Sequence, residues 1–433
     1  MRCFGLLIGI SFLARSAESN WRDVLERIRQ TVAQQVLRST NFTCVEVVDR
    51  TSFRSAHSSP PGCACAKTEP ERKRVRHDRL RLDIAVSEGK EIFAWHGQDR
   101  FCGSSSIDEV VQGGTVTSGE FVSFLANIFV RPGVRFEYMG DSVIDDIETY
   151  SFRYSVPLAA SGYHIGTKRG KPLVPFHGSF TARASDYQLG SLSVIADEIP
   201  EDSLICSAET DMAYRVVKIS GQDALAPSSF TLKLDDLNHQ YTVSRSEFSQ
   251  CRKYAAESTL HFDADNNAAA NNKEAAREIE LPAGIEMHIA LRTPISDRTA
   301  YTGDPVEGVL LNAVKVKGAG AVIPKGSVAE GVISLLENFE EPDRHYLVKI
   351  EFHRIAFGHS TFVFQASPQM SKLQTTKLVS IYGNSWPAYV HNLAQDGVLV
   401  FRSEHFELDK HFADYWITQA ARRHEGNGGS EGR

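Results

Sequence analysis

The chain has 433 residues, of which 42% are hydrophobic and 23% charged, and its formal net charge is -7 at pH 7. This length exceeds that of one ordinary domain and suits two domains, each with its own core. The acidic balance lacks the basic excess that nucleic-acid binding usually leaves, which argues against DNA or RNA as a partner.

The first residues, 1–19, have the features of a secretory signal peptide. Arg2 precedes an apolar run that ends at Leu13 and is too short to span a bilayer comfortably. Cys3 lies before that run, so it does not match the acylated cysteine of a lipoprotein signal. The alternative is a buried N-terminal helix or an anchor. We therefore predict an exported protein, periplasmic or associated with the outer membrane, with no transmembrane span after signal removal.

The cysteines support the prediction of export. Six remain after signal removal, and all lie before residue 260: Cys44, Cys63, Cys65, Cys102, Cys206 and Cys251. An even number in an export compartment favours disulfides, although the sequence does not give their connectivity. A metal site at Cys63 and Cys65 would need two further ligands, and the flanking loop offers only His57 and His77. We predict no metal and no cofactor.

The region 20–262 is predicted to be mainly β (α+β). It starts with an amphipathic helix over residues 20–38, and two short helices follow within 106–130. Strands are predicted at 42–48, 79–86 and 91–95, and then in near-regular succession from residue 135 to 262. The basic run 72–77 leads into a strand with an alternating pattern, which indicates a solvated sheet face rather than a site for an anionic partner. So many strands with so few helices between them indicate an antiparallel sheet or an open barrel.

Aromatic residues line one side of several of these strands. The favoured interpretation is a core that the predicted helices cover. The alternative is a concave face that stays partly open to an apolar ligand. On that alternative the ligand-binding residues are Phe93, Trp95, Phe136, Tyr138, Tyr150, Phe152 and Tyr154.

Residues 263–278 are predicted to be an interdomain linker, because they carry no periodic apolar face. A second β domain without cysteines is predicted over 279–421, in the form of a small barrel or sandwich. The Gly-rich tail 422–433 is predicted to be disordered.

The order of elements in the first domain, one leading helix followed by a long series of strands with a helical interruption, resembles the bacterial lipoprotein carriers and sensors typified by LolA, LolB and RseB. The resemblance covers residues 20–262 and implies an unclosed, strongly bent antiparallel barrel with helices plugging its concave side. It also implies a disulfide between Cys44 on the first strand and Cys251 near the last. Four segments resemble an uncharacterised exported bacterial family that has no known activity: Asp78–Leu82, Gly119–Phe121, His177–Phe180 and Phe248–Tyr254.

Three segments of the second domain carry proline, two of them together with glycine, in the manner of turns between strands: Leu281–Gly284, Thr293–Ser296 and Val322–Ser327. In these segments the domain resembles the β domain of TrbI-type proteins of type IV secretion core complexes. The chain lacks the long proline-rich region and the further membrane anchor of such proteins. The resemblance therefore implies a shared module in a different envelope protein.

Catalytic motifs are lacking: the sequence contains no Gly-x-Ser-x-Gly, His-Glu-x-x-His, Walker or dinucleotide-binding motif. The serines in Gly103–Ser106 are interpreted as an ordinary helix cap. His405 and His411 flank Glu407 and Asp409, but their spacing alone does not predict a metal site.

We therefore predict a non-enzymatic cell-envelope protein that binds a lipid or apolar ligand or acts as an interaction scaffold. Its predicted partners are a lipid or lipoprotein and an envelope protein. The alternative is a hydrolase of envelope polymers whose carboxylates the fold brings together.

Overall fold

The computed structural model of the protein describes residues 10–38, 42–55, 72–87, 89–98, 106–111, 114–167, 169–219, 221–253, 277–316, 321–341, 343–358, 360–369 and 397–419. Strands dominate, so the predicted mainly β fold class is confirmed. The chain divides into two compact units. The first comprises Met1–Val75, Leu82–Ala94 and Asp99–Glu257, and the second comprises Arg76–Arg81, Trp95–Gln98 and Ser258–Arg433.

The helices of the first unit are short apart from the leading one. Helix α1 (Ile10–Arg38) begins before the predicted start at residue 20 and buries Val24, Ile28 and Val32. Helix α2 (Ile107–Val110) has Ser106 as its N-cap residue, and the Ser106 backbone N–H donates to Glu109 Oε2 over 3.1 Å. Helix α3 (Ser123–Leu125) continues directly into a π-helical turn, Ala126–Val130.

The ten strands of the first unit pair in the order β3-β2-β1-β10-β9-β8-β7-β6-β5-β4. From β1 through β10 to β4 every pairing is antiparallel. Among the described residues no pairing joins β3 to β4, so the sheet stays open. Its strands are β1 Phe42–Ser55, β2 Arg72–Ser87, β3 Lys90–Trp95, β4 Arg135–Ile144, β5 Ile147–Val156, β6 Phe176–Arg183, β7 Leu189–Ala196, β8 Ile205–Ile219, β9 Gln222–Asp236 and β10 Gln240–Lys253.

A disulfide joins β1 to β10, which are the first and last of these strands along the chain and neighbours in the sheet. Cys44 on β1 and Cys251 on β10 are bonded to each other across a sequence separation of 207 residues, as the LolA-type resemblance implies. Cys206 is also disulfide-bonded. Cys63, Cys65 and Cys102 lie outside the described residues.

The second unit contains a closed barrel. Six strands pair in the cycle β12-β14-β17-β18-β19-β22-β12, and every pairing is antiparallel, so of the two predicted forms, barrel or sandwich, the structure has the barrel. Strand β11 runs parallel to β19, and β20 pairs with β18. The strands are β11 Arg277–Glu280, β12 Glu286–Leu291, β13 Ile295–Ser296, β14 Pro305–Leu310, β15 Val314–Val316, β16 Ala321–Ile323, β17 Val328–Phe339, β18 His345–Phe357, β19 Ser360–Pro368, β20 Leu399–Phe401, β21 Glu407–Leu408 and β22 Ala413–Gln419.

The barrel core contains large side chains that are fully buried. The ring of Trp416 packs edge-on against Phe352, with centroids 5.1 Å apart, and its Nε1–H donates to the Ile350 carbonyl over 3.2 Å. This hydrogen bond satisfies the polar atom of a buried indole, as burial requires. The TrbI-type identity of this unit stays a prediction.

The middle of β2 belongs to the second unit. Arg81 N–H donates to the Thr302 carbonyl over 2.8 Å, and Thr302 N–H donates to the Arg79 carbonyl over 2.9 Å. The guanidinium groups of Arg79 and Arg81 lie 4.5 and 4.1 Å, respectively, from the ring centroid of Tyr301. Within the basic run 72–77, Arg76 forms an ion pair with Glu337.

Of the predicted linker, residues 263–276 lie outside the described residues, as does the tail 422–433.

Candidate ligand-binding face of the first unit

The aromatic residues of the first unit share one face of the sheet. Phe152 on β5 lies directly opposite Tyr138 on β4 and Phe180 on β6. Because directly opposed residues in an antiparallel pair point to the same side of the sheet, these three rings form one surface. Ring centroids are 5.2 Å apart for Tyr138 and Phe152, and 5.1 Å apart for Phe152 and Phe180. We call this side of the sheet the inner face.

The helical segments cover the central part of the inner face. Phe129 of the π-helical turn packs edge-on against Phe180, with centroids 5.0 Å apart, and its carbonyl accepts a hydrogen bond from Arg29 Nε of α1 over 3.1 Å. Phe152 and Tyr154 are buried beneath this layer, and the Tyr154 hydroxyl donates to the Ser193 carbonyl over 2.6 Å. These two predicted residues are therefore core residues, in line with the favoured interpretation.

The aromatic surface continues beyond this core towards the edge strand. Phe136, Tyr138 and Tyr150 are only partly buried, and Tyr187 stacks on Tyr150 with centroids 6.2 Å apart. We call these four residues the aromatic mouth. Burial and the acceptor Asp141 raise the pKa of Tyr138 to about 12, so its hydroxyl stays protonated at neutral pH.

Two arginines of α1 border the aromatic mouth. The Arg27 guanidinium lies 5.5 Å from the centroid of Tyr187 and donates to its hydroxyl over 3.2 Å. The Arg29 guanidinium lies 5.9 Å from the centroid of Phe136. On the β4–β5 hairpin, Val143 is 67% exposed and lies opposite Glu148, which shares the face of Tyr150. The mouth is therefore an aromatic surface with Asp141 and the apolar Val143 on the hairpin side and two arginines on the other.

Two of the predicted ligand-binding residues lie elsewhere. Phe93 is buried on β3, which is at the opposite end of the strand order from β4. Trp95 belongs to the second unit, where it lies against Gly303: a Cβ atom added there would be 2.7 Å from Trp95 Cε3. The structure thus unites Phe136, Tyr138, Tyr150, Phe152 and Tyr154, and leaves Trp95 in another unit.

Three acidic residues that no sequence motif indicated lie close together inside the first unit. We call Glu46, Glu91 and Glu120 the acid cluster. Glu46 on β1 and Glu120 in the turn before α3 are only 2% and 3% exposed, and Glu91 on β3 is partly buried. Each carboxyl group of the cluster interacts electrostatically with another, and burial raises the pKa of all three.

The members of the acid cluster differ in how their charge is stabilised. Glu91 accepts three backbone hydrogen bonds, from the N–H groups of Gly119 (2.7 Å), Phe121 (3.0 Å) and Val122 (3.2 Å). These donors oppose the effect of burial on its pKa. Burial raises the pKa of Glu46 to about 7, with the Ser246 hydroxyl opposing the shift. The negative charge is therefore best accommodated on Glu91.

Glu120 is the least favourable of the three for a charge. Burial is the main reason why its pKa is well above the ordinary value, and the nearby carboxyl groups of Glu91 and Glu46 add to the shift. None of the described residues offers a hydrogen-bond partner to its Oε1 atom. A neutral, protonated Glu120 is consistent with this environment, because an uncompensated buried carboxylate is strongly disfavoured.

A signal for this cluster exists in the pattern of β1. Even-numbered residues of this strand point inwards, beginning with Phe42, Cys44 and Val48, all of which are buried. The same alternation places Glu46 and Arg50 on the buried side, and both are indeed buried. A charged residue at a position that the alternation assigns to the buried side therefore indicates a buried charge.

The acid cluster is neither a metal centre nor an accessible pair of hydrolytic carboxyl groups. Within the described part of the chain, no three His, Cys, Asp or Glu side chains are arranged to hold a metal ion. His405 Nδ1 instead lies 2.9 Å from Asp297 Oδ2. The hydrolase alternative requires two carboxyl groups in an accessible cleft, whereas those of Glu46 and Glu120 are enclosed. No helix among the described residues has both the length and the apolar character needed to cross a membrane.

Comparisons with known proteins add two distant similarities. No protein-family model and no curated protein matches the sequence. The crystal structure of a DUF1329 family protein from Desulfovibrio piger ATCC 29098 is 12% identical, with 54% of this chain and 96% of that chain covered and a TM-score of 0.23. A domain assigned to outer membrane lipoprotein sorting, from Vibrio parahaemolyticus, is 10% identical, with 54% and 95% covered and a TM-score of 0.27. Scores this low do not establish a shared fold, so function is inferred from the geometry of the chain itself.

Proposed function

We propose that the first unit is a non-enzymatic binding module of the cell envelope and that it binds a lipid or another apolar ligand at the aromatic mouth. The observation that supports this proposal is the continuity of the aromatic surface. It runs from the fully buried Phe152 to the partly exposed Tyr138 and Phe136 without a polar boundary. Apolar pockets with a few fixed polar groups are typical of small-molecule sites.

The surroundings of the mouth suit an amphipathic ligand. The apolar side chain of Val143 extends the surface on the hairpin side, and exposed apolar patches often mark interaction sites. Arg27 and Arg29 lie against mouth rings on the α1 side. A ligand with an apolar chain would cover the rings and the Val143 side chain, and these arginines would face its polar end.

The compartment is inferred from the cysteines and the N-terminal sequence. The Cys44–Cys251 disulfide fits an oxidising compartment, and the apolar run after Arg2 fits a secretory signal. We therefore place the protein in the periplasm or at the outer membrane. A lipoprotein, or an envelope protein docked on the second unit, is a further partner within this proposal.

A titration with a fluorescent fatty acid tests the mouth. The Tyr138→Ser/Tyr150→Ser double variant should bind the probe about tenfold more weakly, because it removes apolar contact area from the ligand. The matched control is Tyr241→Ser, a partly buried tyrosine on β10 outside the mouth, which should bind like the wild type. Equal binding by the double variant would exclude the mouth as the site. No binding by the wild type would leave only a scaffold role.

A further inference from the structure

The acid cluster lies where the covering layer of the inner face begins. Gly119, Phe121 and Val122, the three backbone donors to Glu91, immediately precede α3 and the π-helical turn. Phe129 of that turn packs on the aromatic inner face. Glu120 lies in the same stretch, and its backbone carbonyl accepts a hydrogen bond from the Tyr214 hydroxyl over 2.7 Å. The start of the covering layer is thus attached to Glu91 and Tyr214 through its backbone.

The strands around the cluster are held more firmly than the turn. Strand β1, which carries Glu46, pairs along its length with β10 and is joined to it by the disulfide. Residues 114–122 form no helix or strand. Besides the bonds to Glu91 and Tyr214, Arg50 Nη1 donates to the Thr115 carbonyl over 3.4 Å, and the buried Phe121 ring packs against Phe42 and Phe248, with centroids 5.7 and 5.0 Å apart. When the carboxyl groups ionise, we therefore expect the turn to move rather than the strands.

Among the residues that the structure describes, few charged groups face the cluster from the surrounding elements. Tyr214 on β8 and Tyr163 interact electrostatically with Glu120, and both are neutral near physiological pH, since burial raises the pKa of Tyr163 to about 12 and that of Tyr214 well above the ordinary value. Arg50 on β1 is the buried cation that contacts the 114–122 segment. Three carboxyl groups thus share one interior with few means of compensating a second negative charge.

We propose that the acid cluster is a proton-dependent latch: it holds residues 119–130 over the inner face while Glu46 and Glu120 are protonated, and it releases them when these groups ionise. This inference rests on the proposed ligand-binding function, whose access it would regulate. A second carboxylate beside Glu91 would be both buried and repelled, and both costs fall when the turn moves away and admits water.

The size of the effect follows from proton linkage. The pKa of Glu46 is about 7 in the closed form, against an ordinary value of 4.5. If opening restores the ordinary value, the equilibrium between open and closed forms shifts about 30-fold towards the open form between about pH 5.5 and about pH 8.5. Further ionisation of Glu120 would shift it in the same direction.

Hydrogen–deuterium exchange of the full-length protein tests the latch. The reporters are the amides of Phe124, Ala126 and Arg131, which donate to the carbonyls of Gly119, Val122 and Ala126. After correction for the intrinsic pH dependence of exchange, their protection should fall by about tenfold or more over the same pH interval. The Glu46→Gln variant, which carries a neutral side chain of similar shape, should show a much flatter response. The exposed Glu137→Gln on β4 should respond like the wild type.

The outcomes separate the latch from the binding function. Protection that is independent of pH in the wild type, or an unaltered pH response in Glu46→Gln, would overturn the latch. If Glu46→Gln does not fold, Glu120→Gln replaces it with the same expectation, and the wild-type pH series alone remains decisive. A protein that opens with pH but takes up no lipid at any pH would overturn the proposed function and leave the latch intact.

Discussion

At the scale of single residues, the most informative feature is a buried acid whose charge is opposed by a second carboxyl group. Glu46 is 2% exposed, and its carboxyl group interacts with the Ser246 hydroxyl and, electrostatically, with Glu91. Its ionisation is opposed first by desolvation and then by the second carboxyl group. Such groups are uncommon in ordinary cores because they reduce stability once they are charged. The position therefore predicts an unusual dependence of stability on pH.

The Glu46→Gln substitution should stabilise the protein above about pH 7. Folding raises the pKa of this carboxyl group from 4.5 to about 7, so the folded state binds the proton more tightly than the unfolded chain does. The stability that this proton provides is complete below the unfolded pKa and is lost as the pH rises to the folded one. The loss is at most about 3 kcal/mol. A glutamine side chain cannot ionise, so the variant does not lose this stability.

Thermal unfolding at about pH 5 and about pH 8 measures this difference. The wild type should have the lower melting temperature at the higher pH, and Glu46→Gln should reduce the gap. The exposed Glu137→Gln should leave the gap unchanged. A wild type that is equally stable at both pH values would show that Glu46 ionises freely in the folded state.

Individual side chains show how far sequence patterns reach. The period-two pattern correctly groups Tyr138, Phe152 and Tyr154 on one face, because directly opposed strand residues share a side. The same reasoning assigned Trp95 to that group. Its strand β3 ends at Trp95, and this residue belongs to the second unit. An alternating pattern gives the face of a strand but not the unit that the face contacts.

At the scale of elements, the strands were more predictable than their ends. Strand β1 was predicted to end at residue 48 and extends to Ser55, and β2 was predicted over 79–86 but starts at Arg72. The added residues include Asp49, Arg50, Arg72 and Lys73, whose charges hide a strand from a hydrophobic pattern. Sheet pairing, which is decided by tertiary contacts, extends these strands beyond their apolar segments.

The element with the clearest stabilising role is the disulfide between β1 and β10. Its sequence separation of 207 residues closes a long loop, so the double substitution Cys44→Ser/Cys251→Ser should lower the free energy of unfolding by about 3 to 5 kcal/mol. The melting temperature of the double variant, measured without a reductant so that the disulfide of Cys206 stays intact, gives the effect. The wild type treated with a reductant serves as a comparison. A melting temperature equal to that of the wild type would show that the ladder between β1 and β10 suffices without this bond.

At the scale of the whole molecule, the predicted mainly β architecture is present in both units. An open sheet with covering helices forms the first unit, and a closed six-stranded barrel forms the second. The sequence could not show that residues 76–81 and 95–98 are part of the second unit. Strand β2 contributes to both units, and no local pattern marks the residues at which its pairing partners change. The domain limits 20–262 and 279–421 stay a prediction.

The central claim is that the first unit carries an apolar ligand in the cell envelope. Native mass spectrometry of the full-length protein, purified from the periplasm without detergent, tests it most directly. We expect a population with added mass that corresponds to a lipid or another apolar molecule, and we expect this population to decrease in Tyr138→Ser/Tyr150→Ser. A protein that is consistently of apo mass, and stays so after incubation with lipid, would contradict the claim.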